Sequence, residues 1–175
     1  SVAARDEVRF VVVSSDVVYP TGAMRDYEAK FWLPFKGVRK PVFAIPGNHD
    51  WYDALEGFNA TFLMPDAARL AMSARVNADL NISTSTAGHI EQSIGEAARL
   101  RREYGVPTGF QRAPFFDIQT DEFALIAIDT GVGAVNPTVI DGRAPRSDDE
   151  ILMSPLLASD VGADIVIDCT GFFLT

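Results

Sequence analysis

Two short apolar runs, each ended abruptly by polar residues, constrain the fold of this chain most strongly. Residues 8–14 (VRFVVVS) are rich in β-branched side chains and are soon followed by Asp16, and residues 41–45 (PVFAI) stop at Pro46-Gly47. Such runs are typical of strands buried on both faces of an α/β sheet. We therefore expect two parallel strands whose polar followers share one edge of the sheet, the edge at which open α/β folds bind ligands.

Helical patterns lie between these strands and after them. Residues 24–35 carry aromatic side chains about one helical turn apart, which predicts a short helix broken near its end by Pro34. Residues 65–80 and 90–104 predict two further helices. These two helices are expected to form a helical insertion or cap over the sheet.

The second half of the chain predicts more strands and then loses its periodicity. Residues 115–119 and 123–129 flank a polar turn and predict a hairpin or consecutive paired strands. Residues 133–159 are rich in Gly, Pro, Asp and Arg and predict a loop, after which residues 164–169 predict a last strand.

Composition and charge narrow the classes of function. The formal net charge of −9 argues against nonspecific binding to nucleic acid, so a site for phosphate needs local help, most plausibly from metal ions. Cys169 is the single cysteine, which excludes an intrachain disulfide and a cysteine-based metal cluster. We expect a cytoplasmic chain without a membrane segment, because no run approaches about 20 apolar residues.

The strongest functional signal is Asn48-His49-Asp50 directly after the second strand, with Asp16 after the first. An ordinary turn explains Gly47 and Asn48, but it does not explain His-Asp together with the upstream carboxylate. For Asp16 taken alone, a helix cap or a turn residue is nearly as good an interpretation as a metal ligand.

Gly47-Asn48-His49-Asp50 after a strand resembles the signature of calcineurin-like metallophosphoesterases, and the resemblance extends over residues 8–132. It implies an α/β phosphoesterase sandwich core with a helical insertion, and metal-dependent hydrolysis of phosphate mono- or diesters. It also implies that Asp16 bridges two divalent ions (Mn, Fe, Zn or Mg) and that Asn48 gives its amide oxygen to one of them.

The same resemblance assigns the catalytic roles. His49 is expected to contact the phosphate and support departure of the leaving group, as proton donor or charge stabiliser. Asp50 is expected to orient His49 through the other ring nitrogen. Two metal ions are expected to convert water to hydroxide and to hold the phosphoryl oxygens.

The chain also departs from the family pattern. It contains no Asp-x-His motif, and no histidine follows His89, so the two-metal site is expected to be incomplete in this chain. Residues 1–132 are therefore interpreted as a partial metallophosphoesterase domain and residues 133–175 as a segment of uncertain origin. Within the latter, residues 162–173 resemble a strand and turn of the glyceraldehyde-3-phosphate dehydrogenase nucleotide-binding domain, but the dinucleotide glycine fingerprint is absent.

Other polar and aromatic residues receive structural interpretations. Asp129 is expected to make a structural hydrogen bond at a strand end, and His89 to be solvated. The aromatic residues interpreted as core or pocket wall are Trp32, Trp51, Tyr52 and Phe58.

Two alternatives to an enzyme stay open. One is a noncatalytic remnant that binds a metal or phosphate, or an interaction module that binds neither. The other is a nucleotide-binding dehydrogenase fragment, which rests only on the C-terminal stretch. An incomplete sheet also leaves exposed edges, and these predict self-association.

Overall fold

The computed structural model describes residues 7–78, 87–128 and 165–168. Helices and small sheets alternate along this part of the chain, which makes it a mixed α/β structure. No helix within it is long and apolar enough to cross a membrane. The elements in chain order are β1 (Val11–Ser14), α1 (Met24–Tyr27), a π-helical turn (Glu28–Trp32), α2 (Leu33–Phe35), β2 (Val42–Ile45), α3 (Asn48–Trp51), α4 (Glu56–Phe62), α5 (Pro65–Ala78), α6 (Ala87–Tyr104), β3 (Phe116–Gln119), β4 (Ala124–Ile128) and β5 (Ile165–Asp168).

The first two strands pair in parallel, as the apolar runs predict. The register places Val11 opposite Val42 and Ser14 opposite Ile45, and the Val11 N–H donates to the Pro41 carbonyl at 2.8 Å. Both strands therefore end at the same edge of this small sheet. The first strand is shorter than its apolar run, because the ladder begins only at Val11.

The predicted hairpin forms the second sheet. β3 and β4 pair antiparallel, and the Thr120 hydroxyl oxygen accepts the N–H groups of Glu122 and Phe123 in the turn between them. β5 adds to the other side of β4 in parallel, so residues 165–168 join the sheet as its third strand.

Alternating side chains of the β1–β2 sheet pack into two different apolar clusters. Val11, Val13 and Val42 belong to the larger cluster, which the helices complete. Val12 and Ile45 belong to a smaller cluster with side chains of β3 and β4. The β1–β2 sheet is consequently a middle layer, with helices on one face and the three-stranded sheet on the other.

The predicted helices belong to the main core. Met72 on α5 and Ile94 and Leu100 on α6 are buried in the same cluster as the β2 residue Ala44. Helices α5 and α6 also pack on each other and on α4. They are therefore a layer of the core itself.

The helical segment ends at Phe35, close to Pro34 as predicted, and its middle contains an irregularity that the sequence did not indicate. The π-helical turn includes Phe31 and Trp32, and both side chains are fully buried. A wider turn changes the angular phase of the helix, which allows these two adjacent bulky residues to face the core together. Pro34 is accommodated in α2.

The outer edge of β2 is closed by a side chain. The Ala44 N–H donates to Gln111 Oε1 at 2.8 Å, and Gln111 Nε2 donates back to the Ala44 carbonyl at 2.9 Å. Beside this pair, the Val42 N–H donates to the Pro107 carbonyl. The buried Gln111 amide thus takes the place of a neighbouring strand.

Gln111→Leu should destabilise the chain, because it leaves the buried Ala44 N–H and carbonyl without partners. We expect the free energy of unfolding to fall by about 2 kcal/mol, measured by urea denaturation. Gln92→Leu, at an exposed position of α6, is the matched control and should change it by less than about 0.5 kcal/mol. Equal effects of the two substitutions would contradict the edge-closing role.

Candidate functional site

Asp16 and helix α3 meet at the carboxyl edge of the β1–β2 sheet. Asp16 lies just beyond β1, and α3 begins at Asn48, just beyond β2. Asp16 Oδ1 accepts the backbone N–H of His49 at 3.0 Å, which satisfies a donor in the first turn of α3. The capping role that the sequence left open for Asp16 is therefore present, supplied from the neighbouring strand.

Asp50 joins the two loops that follow the strands. Its fully buried carboxylate accepts the N–H groups of Val17 at 2.9 Å, Gly47 at 3.0 Å and Val18 at 3.3 Å. Burial raises the pKa of Asp50, the three backbone N–H groups oppose that rise, and the charge of Asp16 adds to it. Asp50 thus fixes the position of each loop relative to the other.

The expected pairing of Asp50 with the His49 ring is corrected by this arrangement. The Asp50 carboxylate faces the backbone donors, and His49 Nδ1 lies 2.5 Å from the Pro20 carbonyl oxygen. A carbonyl oxygen only accepts, so Nδ1 carries a proton in this contact. The Pro20 carbonyl therefore orients the ring and leaves Nε2 as the nitrogen that can exchange a proton with a ligand.

Gly47 is required by a close approach of two chain segments. A Cβ at this position would lie 2.1 Å from Asp16 Oδ1 and 2.2 Å from the Asp16 backbone nitrogen. The backbone of Gly47 is extended, with φ of −93°, so many residues could adopt its conformation. The sequence indicates a turn at this glycine, but the close approach of Asp16 is the stronger reason that glycine is needed here.

Two exposed tyrosines flank His49. The Tyr19 ring centroid lies 3.9 Å from that of His49, and the Tyr52 ring meets it edge-on at 5.0 Å. Asn48 Nδ2 donates to the Tyr52 hydroxyl at 3.5 Å, which orients the amide. Tyr52 is 60% exposed, so it does not belong to the core, and its interpretation as part of a pocket wall stays a prediction.

The other aromatic predictions fare differently. Trp32 and Phe58 are buried in the core, as predicted, and Trp51 is partly buried against it.

Tyr52 follows His49 by three residues, a spacing that places side chains on one side of a helix. That spacing is visible in the sequence, whereas the approach of Tyr19 and Pro20 is a tertiary contact that no local pattern indicates.

The described residues supply only some of the ligands that a metal ion needs. Asp16 and Asn48 offer a carboxylate and an amide oxygen, the hard donors that divalent ions such as Mg and Mn accept. No group of three or more His, Cys, Asp or Glu side chains in this part of the chain could hold a metal ion. These residues therefore do not make up a two-metal centre by themselves. Asp129 lies outside the described residues.

A second polar cluster lies between α4 and α6. Glu56 pairs with His89 Nε2 at 2.9 Å and accepts the Ser93 hydroxyl at 2.5 Å, so His89 is a paired side chain. Burial, followed by the nearby charge of Glu56, raises the pKa of Asp53 from 3.8 to about 6. His89 is exposed, as the sequence interpretation of a solvated side chain predicts, and the fold also brings it to Glu56.

Comparisons with known proteins give no relative from which to transfer a function. No family model, curated protein or solved structure matches the chain.

The raised pKa of Asp53 predicts a pH-dependent contribution to stability. The native state holds the Asp53 proton more tightly than the unfolded state, so the contribution of Asp53 to the stability of wild type should fall as pH rises from about 4 to about 6. Asp53→Asn removes this titration. The free energy of unfolding of the variant minus that of wild type should rise across this interval and then level off, as measured by urea denaturation at a series of pH values. A difference that stays constant with pH would contradict the assignment.

Proposed function

We propose that this chain is part of a calcineurin-like metallophosphoesterase, with an α/β phosphoesterase core, that hydrolyses phosphate mono- or diesters. The observation that carries the proposal is the meeting of Asp16 with Asn48 and His49 at the shared carboxyl edge of two parallel strands. This edge is where α/β sheets bind ligands. Its residue types match the Gly-Asn-His-Asp signature together with a strand-end carboxylate.

His49 is the residue assigned to proton transfer. The contact of Nδ1 with the Pro20 carbonyl leaves Nε2 as the ring nitrogen available to a ligand. In its cationic form Nε2 donates a proton to the oxygen of the leaving group as the P–O bond breaks, which avoids release of an alkoxide or phenoxide. Asp50 is assigned a positioning role without substrate contact. Its carboxylate accepts the Gly47 N–H and so fixes the loop that leads to His49.

Asp16 and Asn48 are assigned to divalent metal binding. The Asn48 amide nitrogen is engaged by Tyr52, which leaves the amide oxygen for a cation. The further ligands of a two-metal centre would come from residues outside the described ranges or from a second chain. A cation at this edge would also offset the net charge of −9, which otherwise opposes binding of a phosphate ester.

His49→Ala should abolish metal-dependent hydrolysis, because it removes the side chain proposed to contact the phosphate and to protonate the leaving group or stabilise its charge. The measurement is turnover of p-nitrophenyl phosphate and bis(p-nitrophenyl) phosphate after loading with Mn, together with the metal content of the purified chain. We expect a loss of at least about 100-fold. His89→Ala is the matched control, since His89 is the other histidine and lies outside the proposed site.

The outcomes separate the proposal from its alternatives. Turnover retained by His89→Ala and lost by His49→Ala would support the phosphoesterase. Equal turnover in wild type and His49→Ala would indicate a contaminant. Binding of metal or phosphate without turnover by wild type would indicate a noncatalytic remnant instead.

An interaction module is the second candidate, and one observation favours it. Because the Val11 N–H points to β2, alternation along the strand turns the Val12 N–H and carbonyl to the other side of β1. No strand among the described residues pairs with β1 on that side. Such an edge is suited to antiparallel pairing with β1 of a second copy of this chain.

Val12→Pro should prevent this self-association, because proline removes the outward N–H while the N–H groups that face β2 are kept. Val12→Ala is the matched control, since it shortens the same side chain and keeps the N–H. We expect wild type and Val12→Ala to shift from monomer to dimer with rising concentration in sedimentation equilibrium, and Val12→Pro to stay monomeric. Association of all three chains alike would exclude the β1 edge as the interface.

A further inference from the structure

The two tyrosines beside His49 differ from the aromatic residues of the core. Tyr27, Phe31 and Phe62 pack against one another in the core with almost no exposure. Tyr19 and Tyr52 are 61% and 60% exposed. Their rings therefore add little to the buried apolar area of the fold, and their exposed surface beside His49 is available for contact with a ligand.

Both tyrosine rings contact the imidazole of His49. The Tyr19 ring centroid lies 3.9 Å from that of His49, and the Tyr19 backbone carbonyl accepts a hydrogen bond from Lys30 Nζ at 2.7 Å. The Tyr52 hydroxyl accepts a hydrogen bond from the Asn48 amide, and its ring meets His49 edge-on. The rings thus lie around the imidazole, and a large part of each stays open to solvent.

From this geometry we infer that the substrate is a phosphate ester whose leaving group carries a flat aromatic ring, which stacks on the exposed tyrosine rings beside His49. The inference rests on the proposed function and names its substrate class. The leaving-group oxygen must lie near His49 Nε2 to receive a proton, so the atoms attached to that oxygen lie next to the tyrosines. Exposed aromatic rings favour stacking partners there, and they do so without adding charge to an acidic chain.

The test compares two ligands that differ only in the leaving group. Phenyl phosphate and methyl phosphate are titrated into the Mg-loaded chain by isothermal calorimetry, and the ratio of their dissociation constants is the readout. Wild type should bind phenyl phosphate about tenfold more tightly than methyl phosphate, a preference within the usual range for stacking of one ring on an aromatic side chain.

Two variants at Tyr52 separate stacking from other effects. Tyr52→Leu keeps an apolar side chain without a π face and should reduce the preference to less than about threefold, whereas Tyr52→Phe keeps the ring and should retain it. Circular dichroism and thermal melting check that both variants fold.

Each outcome bears on a different claim. Equal affinity of wild type for the two ligands would overturn the aromatic inference and leave a phosphate ester site intact. A preference that persists in Tyr52→Leu would also overturn it, since the ring would then be recognised elsewhere. Binding of neither ligand would overturn the proposed function, and the inference with it.

Discussion

The candidate site depends on the hydrogen bonds that the buried carboxylate of Asp50 accepts. This carboxylate accepts backbone N–H groups from Val17 and Val18 in one loop and from Gly47 in the other. Without it, three donors at the end of the sheet would lack their acceptor, and each such donor costs about 1–3 kcal/mol when it is buried. Because both loops donate hydrogen bonds to this one carboxylate, the ends of β1 and β2 are held in a fixed position relative to each other. This position allows Asp16 to reach the His49 N–H.

The backbone of Asp50 limits which residues fit beside it. Gly22 has a φ of +66°, and a Cβ at this position would lie 2.6 Å from the Asp50 Cα. Glycine is therefore required at Gly22 by both conformation and space. Tyr27 packs on the same region, and burial together with the charges of Asp50 and Asp53 raises its pKa well above the usual value. The tyrosine stays neutral, so a second anion is kept out of the core beside Asp50.

Local patterns in the sequence predicted the elements of the fold better than the contacts within the site. The apolar runs predict β1, β2 and their parallel pairing, because the burial of a strand and the point where it ends both depend on residues adjacent in the sequence. Residue type and position single out Asp16 and Asn48-His49-Asp50 as candidate site residues. They do not indicate the direction of the Asp50 side chain, because a carboxylate next to a histidine gives no sign of the backbone donors that face it from residues 17 and 18.

Capping and metal binding by Asp16 are compatible roles, although residue type presents them as alternatives. A carboxylate has two oxygens and about four lone-pair sites. Oδ1 accepts the His49 N–H, which leaves further acceptor capacity for a cation. The cap fixes the Asp16 side chain against the first turn of α3. A fixed donor loses less conformational entropy on binding than a mobile one, so under the proposed function the same hydrogen bond would also prepare Asp16 for a cation.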